Sequence, residues 1–322
     1  MSRRYLVAGG AGFIGSNFIR RVLGHEPDAR VTNLDALTYA GVKATVDELD
    51  ASDRHTFVLG DIRDATLVEG LVPGHDVVIN FAAESHVDRS IEGPSVFLDT
   101  NVVGTGVLID AARRHGIPRF IQVSTDEVYG SIARGLAREE APLHPSSPYA
   151  ASKAGSDLLV GSYAVTFDYP AIITRCTNNY GPYQFPEKVI PLFVTNLFDD
   201  IPVPLYGDGL NERDWLYVDD HCSALHLLVD AGEPGEVYNI GANAQISNLD
   251  LARKILGLLG KDDSLIRPVT DRPGHDRRYA VDSSKIRGLG WQPTHSLDDR
   301  LGDTISWYRA REDWWRPLKE NR

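Results

Sequence analysis

Residues 5–15 read Tyr5-Leu6-Val7-Ala8-Gly9-Gly10-Ala11-Gly12-Phe13-Ile14-Gly15. Four apolar residues, then a glycine-rich turn, then a helix-like stretch to about Leu23 predict a strand–turn–helix unit. Gly10, Gly12 and Gly15 match G-x-G-x-x-G, and Gly9, Gly12 and Gly15 match the wider spacing. Such a turn lets the backbone approach a pyrophosphate at a helix N-terminus. A second strand, Val31-Thr32-Asn33-Leu34, ends in Asp35. An acid at that distance is suited to a ribose 2′-hydroxyl. Ala36-Leu37-Thr38 follow, with no cation to welcome a 2′-phosphate, so NAD is expected over NADP.

Working outward, strands are predicted at Thr56–Leu59, Asp76–Ala83, from Phe120, at Ala171–Arg175 and at Gly235–Ile240, with helices between them, including one over Ser95–His115. This alternation predicts a Rossmann-type, doubly wound parallel α/β sheet. Asp61 is open to two roles, an acceptor for an adenine amino group or a helix cap. After Arg175 the pattern leaves the sheet, with Pro186-Glu187-Lys188 expected to open a helix, and later returns. The expected division is a cofactor domain, 1–177 with 218–241 returning to it, and a smaller α/β substrate domain, 178–217 with 242–322. The last elements expected are a helix over Asn248–Leu259, an Arg-rich loop (Asp271–Arg278) and a terminal helix (Leu297–Arg309).

The stretch Ser124-Thr125-Asp126-Glu127-Val128-Tyr129-Gly130 follows the apolar run Phe120–Val123, so two carboxyls are expected at a strand end, where open α/β sheets bind ligands. In Ser147-Pro148-Tyr149-Ala150-Ala151-Ser152-Lys153, Ser147 is a good N-cap and Pro148 a good first helical residue. Tyr149 and Lys153 then share a helical face. A free tyrosine has a pKa of about 10; a cation at Lys153 is expected to lower it.

Composition bounds the rest. The net charge of −12 argues against nucleic-acid binding. Two cysteines, Cys176 and Cys222, give neither a disulfide framework nor a metal spacing, and are expected to be reduced core thiols. The N-terminal apolar run is broken by glycines, so no membrane span or signal peptide is expected, and the protein is read as cytoplasmic.

Leu37–Gly41, Ala82–Ser90 (AAESHVDRS), Ser124–Gly130 (STDEVYG), Tyr149–Lys153 (YAASK), Asn178–Pro182 (NNYGP), Arg213–Val218 (RDWLYV) and Asp271–Tyr279 (DRPGHDRRY) together resemble the dTDP-glucose 4,6-dehydratases, within the extended short-chain dehydrogenase/reductases. The resemblance covers nearly the whole chain, and Thr125-Asp126-Glu127 is its most specific part. Departures are Ala8, Val189 and the stretch Val42–Asp53.

The resemblance implies Tyr149 as base at the sugar 4-hydroxyl, Lys153 beside it, Glu127 as base at C5, Asp126 as acid at the 6-hydroxyl and Thr125 orienting the 4-hydroxyl. It implies NAD contacts from Gly9, Gly12, Phe13, Ile14, Gly15, Asp35, Asp61, Ile62 and Ala82, with Tyr149 and Lys153. For a nucleotide-sugar substrate, Arg213, Arg272, Lys188 and His275 are expected near the diphosphate, Asn178 and Asn248 near the diphosphate or nucleotide, and Tyr206 on the base. Ser85, His86, Val189 and Pro204 complete that set. A homodimer paired through the Ser95–His115 and Tyr149 helices is implied. A dehydratase of UDP-glucose type, a 4-epimerase and a non-catalytic NAD-binding regulator are the alternatives. The last predicts loss of Tyr149, Lys153 or the triplet, and all are present.

Overall fold

The computed structural model describes residues 2–320. Its strands are β1 (Arg4–Ala8), β2 (Arg30–Asp35), β3 (His55–Leu59), β4 (Val77–Asn80), β5 (Arg119–Thr125), β6 (Ala171–Cys176), β7 (Asn178–Tyr180), β8 (Val203–Tyr206), β9 (Glu212–Tyr217), β10 (Val237–Ile240), β11 (Gln245–Ser247) and β12 (Ile266–Val269). Seven of them form one parallel sheet in the order β10-β6-β5-β4-β1-β2-β3. The order reverses between β1 and β4, which opens a crevice at their C-terminal ends. β4 is buried along its whole length, as a strand covered on both faces must be.

Helices Phe13–His25 and Val218–Ala231 cover one face around Tyr5, Phe18, Leu225 and Leu228. The other face carries the helical run Ser95–Arg114 and the helix Pro148–Phe167, around Leu6, Leu108, Phe120 and Val160. A second core, with Tyr180, Phe193, Trp215, Ile255 and Trp315, gathers β9 and the helices Val189–Phe198, Asn248–Leu258, Leu297–Ala310 and Glu312–Glu320.

Three local outcomes differ from the sequence reading. The run over Ser95–Arg114 is continuous but takes π-helical turns at Asp99–Gly104. The helix expected at Pro186 starts at Val189, behind Lys188. Glu312–Glu320 forms a further helix beyond the expected terminal one, seating Trp314 and Trp315 in the second core.

The C-terminal segment is pinned by one buried carboxylate. Asp220 accepts from Thr294 N at 3.0 Å, Thr294 Oγ1 at 2.7 Å and His295 N at 3.0 Å. Removing it takes a buried, charged acceptor from donors on a partly exposed segment. Asp220→Ala should therefore cost roughly 3 kcal/mol of stability, read from the denaturant midpoint; a loss under about 1 kcal/mol would show that water satisfies those donors.

Candidate active site

The crevice begins at the glycine turn. Gly9 has φ +82°, and a Cβ there would stand 2.5 Å from Ala82 N, so this turn admits only glycine beside β4. A Cβ on Gly15 would lie 2.3 Å from Gly9 O, which fixes the close helix–turn contact. Gly12 caps the Phe13–His25 helix without a side-chain bond, leaving its first N–H groups for an anion. Asp35, at the end of β2, accepts from Ala11 N at 2.9 Å and Leu37 N at 2.8 Å. Each oxygen keeps a lone pair for a ribose hydroxyl. Gly9, Gly12, Asp35, Asp61, Ile62 and Ala82 line one lobe of the crevice, and Phe13, Ile14, Gly15, Tyr149 and Lys153 the next. These residues fit an extended dinucleotide.

Of the two roles open to Asp61, the structure removes the cap. Asp64 caps the Ala65–Leu71 helix, accepting from Thr66 N and Leu67 N. Asp61 is held by Arg63, whose Nη2 donates to its Oδ2 at 2.6 Å and whose Nε donates to the same oxygen at 2.9 Å. That guanidinium keeps the carboxyl below its ordinary pKa.

The chemistry gathers at the end of β5. Ser147 accepts from Ala150 N at 3.1 Å, and Pro148 opens the helix that carries Tyr149 and Lys153 to the same spot. The π-helical turns place Asn101 so that its Nδ2 donates to Ser152 Oγ at 2.8 Å and to Glu84 O at 3.0 Å, tying this helix to the loop after β4. Sequence reading missed Asn101, because an unusual helical turn leaves no composition signal.

Burial sets the proton affinities. Asp126 is 3% exposed, and desolvation, reinforced by Glu127, drives its pKa well up against the pull of Arg213. Its Oδ1 accepts from Thr125 Oγ1 at 3.3 Å, and its Oδ2 has no partner. Glu127 is also raised by desolvation, opposed by Arg272, Arg213 and Lys188, and its side chain faces the cavity. Asp126 is buried beside it. One carboxyl is thus strongly biased to hold a proton, while the other is surrounded by three cations.

Lys153 differs from expectation. Its Nζ donates to Val123 O at 2.7 Å, and burial pushes it below the ordinary lysine value against the pull of Asp157. Burial and Glu127 drive the Tyr149 hydroxyl well up, and the bond from Thr125 only partly offsets this. In this structure Lys153 is engaged by a carbonyl rather than lowering the phenol.

The substrate lobe is lined by Ser85, His86, Asn178, Lys188, Val189, Pro204, Tyr206, Arg213, Asn248, Arg272 and His275. Several of these are already engaged. Arg213 donates to Asp276 O at 2.9 Å and Glu212 O at 2.8 Å, and Lys188 Nζ to Ser85 O at 2.9 Å. Tyr206 and Arg272 both reach Asp88, at 3.1 and 3.4 Å, closing the outer rim. His275 pairs with Asp271 at 2.6 Å. His86 caps the Val87–Glu92 helix and lies 3.8 Å from Glu187, a wall residue not among the expected site residues. Among the described residues no cluster of His, Cys, Asp or Glu could hold a metal, and both cysteines are free and buried.

A Rossmann-type sheet with Tyr149 and Lys153 on one helix and carboxyls at the end of β5 defines a dinucleotide-dependent enzyme of the short-chain dehydrogenase/reductase class. Residues 6–304 match the family model described as GDP-mannose 4,6 dehydratase. A dTDP-glucose 4,6-dehydratase of Streptomyces antibioticus is 53% identical over 321 residues, 98% of this chain and 95% of that one. The crystal structure of DesIV, the dTDP-glucose 4,6-dehydratase of Streptomyces venezuelae, with NAD and TYD bound, superposes with a TM-score of 0.96 at 53% identity, covering 98% of this chain and 99% of that one. A UDP-glucose 4-epimerase of Thermus thermophilus, in complex with NAD, reaches 0.88 at 30% identity, covering 95% and 99%. The chain belongs to the nucleotide-sugar 4,6-dehydratase family.

Asp35→Ala should weaken NAD binding about tenfold or more and narrow the preference over NADP, since it removes a charged acceptor and the repulsion of a 2′-phosphate. Titration with both cofactors checks this; an unchanged affinity ratio would place Asp35 away from the ribose.

Proposed function

We propose that this chain is an NAD-dependent hydro-lyase, a dTDP-glucose 4,6-dehydratase, forming dTDP-4-keto-6-deoxyglucose for deoxysugar biosynthesis. The observation that carries the reading is the unequal carboxyl pair at the end of β5, Asp126 buried and Glu127 facing the cavity beside Tyr149. An epimerase needs Tyr149 and Lys153 but not that pair.

Bound NAD supplies the redox chemistry, accepting a hydride from C4 of the sugar and returning it to C6. Tyr149 takes the proton of the 4-hydroxyl, which Thr125 orients. Tyr149 starts with its proton strongly held, so the positive charge of the oxidised nicotinamide and a reoriented Lys153 must favour the phenolate. The 4-ketone acidifies C5. Glu127 takes the C5 proton, the electron pair forms the C5–C6 double bond, and Asp126 gives its proton to the departing C6 oxygen, which leaves as water. C5 is then reprotonated, so the net change is loss of one water. Arg272, with Lys188 and His275, offers charge toward the diphosphate; the fixed fork of Arg suits phosphate.

Residues 1–177 with 218–241 serve the cofactor, and 178–217 with 242–322 the nucleotide sugar. The hydrophobic cores follow that division except that Leu216, Ile286 and Trp291 pack into the cofactor-side core and Val42 into the other. A homodimer is supported by apolar side chains on the outer faces of two adjacent helices: Leu98 and Val103 on one, Leu158, Val165 and Phe167 on the other, Val165 being 88% exposed. Ser95–Arg114 is also apolar and long enough to cross a membrane, but its inner face is packed, with Phe97 against Tyr149 at 6.3 Å. A nucleotide-sugar substrate and two free, buried cysteines support cytoplasmic residence.

Turnover of dTDP-glucose, UDP-glucose and GDP-mannose, read as 4-keto product absorbance in base, tests the substrate. The reading expects dTDP-glucose to be preferred; 4-epimerised sugar without a 4-keto product would overturn it. Glu127→Gln should slow elimination by about 10²–10⁴-fold while C4 oxidation continues, so reduced nicotinamide builds up on the enzyme in a single turnover. Equal loss of both steps would assign Glu127 elsewhere. Light scattering at micromolar concentration should give twice the mass of one 35.5 kDa chain; the mass of a single chain would count against the pairing.

A further inference from the structure

The loop that closes the substrate lobe ends at Tyr279, a buried residue whose hydroxyl stands between two carboxyls. It lies 2.8 Å from Asp276 Oδ2 and 3.4 Å from Glu127 Oε2. Asp276 Oδ2 also accepts from Ser146 Oγ, next to the serine that caps the Tyr149 helix. The ring cannot swing. The Arg213 guanidinium sits 4.1 Å from its centroid while donating to Asp276 O at 2.9 Å, and Tyr279 N donates to Glu212 O at 3.3 Å. What remains free is rotation of the hydroxyl hydrogen.

A phenol has one hydrogen to donate and an oxygen that can accept. It can serve Asp276 or Glu127, not both at once. While Glu127 is ionised, the hydrogen turned toward it stabilises the charge. Once Glu127 holds a proton, it can donate to the phenol oxygen, and the phenol hydrogen turns back to Asp276. We propose that Tyr279, backed by Asp276 and Ser146, is a positioning residue for elimination, its hydroxyl rotating between the two carboxyls so that Glu127 can take the C5 proton and later release it. The mechanistic part rests on the reading of Glu127 as the C5 base.

Other groups face Glu127 as well. Lys188 ahead of the Val189–Phe198 helix, Arg213 on β9 and Arg272 on the closing loop favour its ionised form, and Asp276 opposes it. Asp126 beside it and Tyr149 on the Pro148–Phe167 helix also interact with its charge. Only the Tyr279–Asp276–Ser146 chain changes in the variants below.

Losing the donor in Tyr279→Phe disfavours the Glu127 carboxylate, so Glu127 should titrate higher, by roughly one pH unit. Asp276→Asn removes a facing negative charge and presents an amide N–H to the phenol oxygen. The phenol hydrogen then turns to Glu127, which should titrate lower by a similar amount. Ser146→Ala leaves the ring in place and should move the midpoint upward, like Tyr279→Phe but less. The probe is infrared difference spectroscopy of the purified holoenzyme across pH, taking as the Glu127 carboxyl band the one that Glu127→Gln abolishes. Opposite shifts in Tyr279→Phe and Asp276→Asn, with slower single-turnover elimination in Tyr279→Phe, are expected. A midpoint unmoved in every variant that folds, or moved the same way by Tyr279→Phe and Asp276→Asn, would overturn the assignment. If Glu127→Gln turns over like the wild type, the base reading fails separately, and the titration still decides the hydrogen bond.

Discussion

A carboxyl removed from water keeps its proton unless a neighbour compensates the charge. At Asp126 burial dominates, the adjacent Glu127 adds repulsion, and Arg213 does not offset them. The rest of the site depends on that imbalance. An acid and a base cannot be assigned to two like carboxyls in like surroundings, and here one is buried beside a like charge while the other faces Arg272, Arg213 and Lys188.

The sheet is what keeps the surroundings unlike. β5 is buried from Phe120 to Thr125 and flanked by β4 and β6, so the chain leaves it inside the protein rather than at the surface. Behind it, Asp157 and Arg175 form a buried pair at 2.9 Å, and Arg175 donates to Tyr129 Oη at 2.8 Å, which in turn donates to Asn239 on β10 at 2.8 Å. The late return of β10 to the sheet thus braces the turn that presents the carboxyls. Farther out, His221 is fully buried, its pKa lowered to about 3 by desolvation, and its neutral ring bonds Asn179 Oδ1 at 2.9 Å beside the cavity wall.

Much of this was legible in the sequence because it is local. Apolar runs marked the sheet strands, the Ser147-Pro148 pair marked a helix start, and i,i+4 spacing put Tyr149 and Lys153 on one face. What was not legible is what distant segments do to each other. Tyr279 meets Glu127 across 152 positions and Arg175 meets Asp157 across 18. For the same reason the sequence puts Lys153 near Tyr149 but does not show the Val123 carbonyl that takes its ammonium. Asp61 was ambiguous because an acid before a helix suits either role; the cap falls to Asp64, and Arg63 two residues on holds Asp61.

The central claim is that oxidation, elimination and reduction occur at one site without release of an intermediate. The most direct measurement is a mixed incubation of C4-deuterated and unlabelled dTDP-glucose, with the products analysed by mass spectrometry. The account predicts deuterium at C6 of the same molecules that carried it at C4, with C5 exchanging to solvent hydrogen. Scrambling of the C6 label between molecules, or net reduced nicotinamide accumulating in solution, would contradict it and leave the carboxyl pair without its assigned roles.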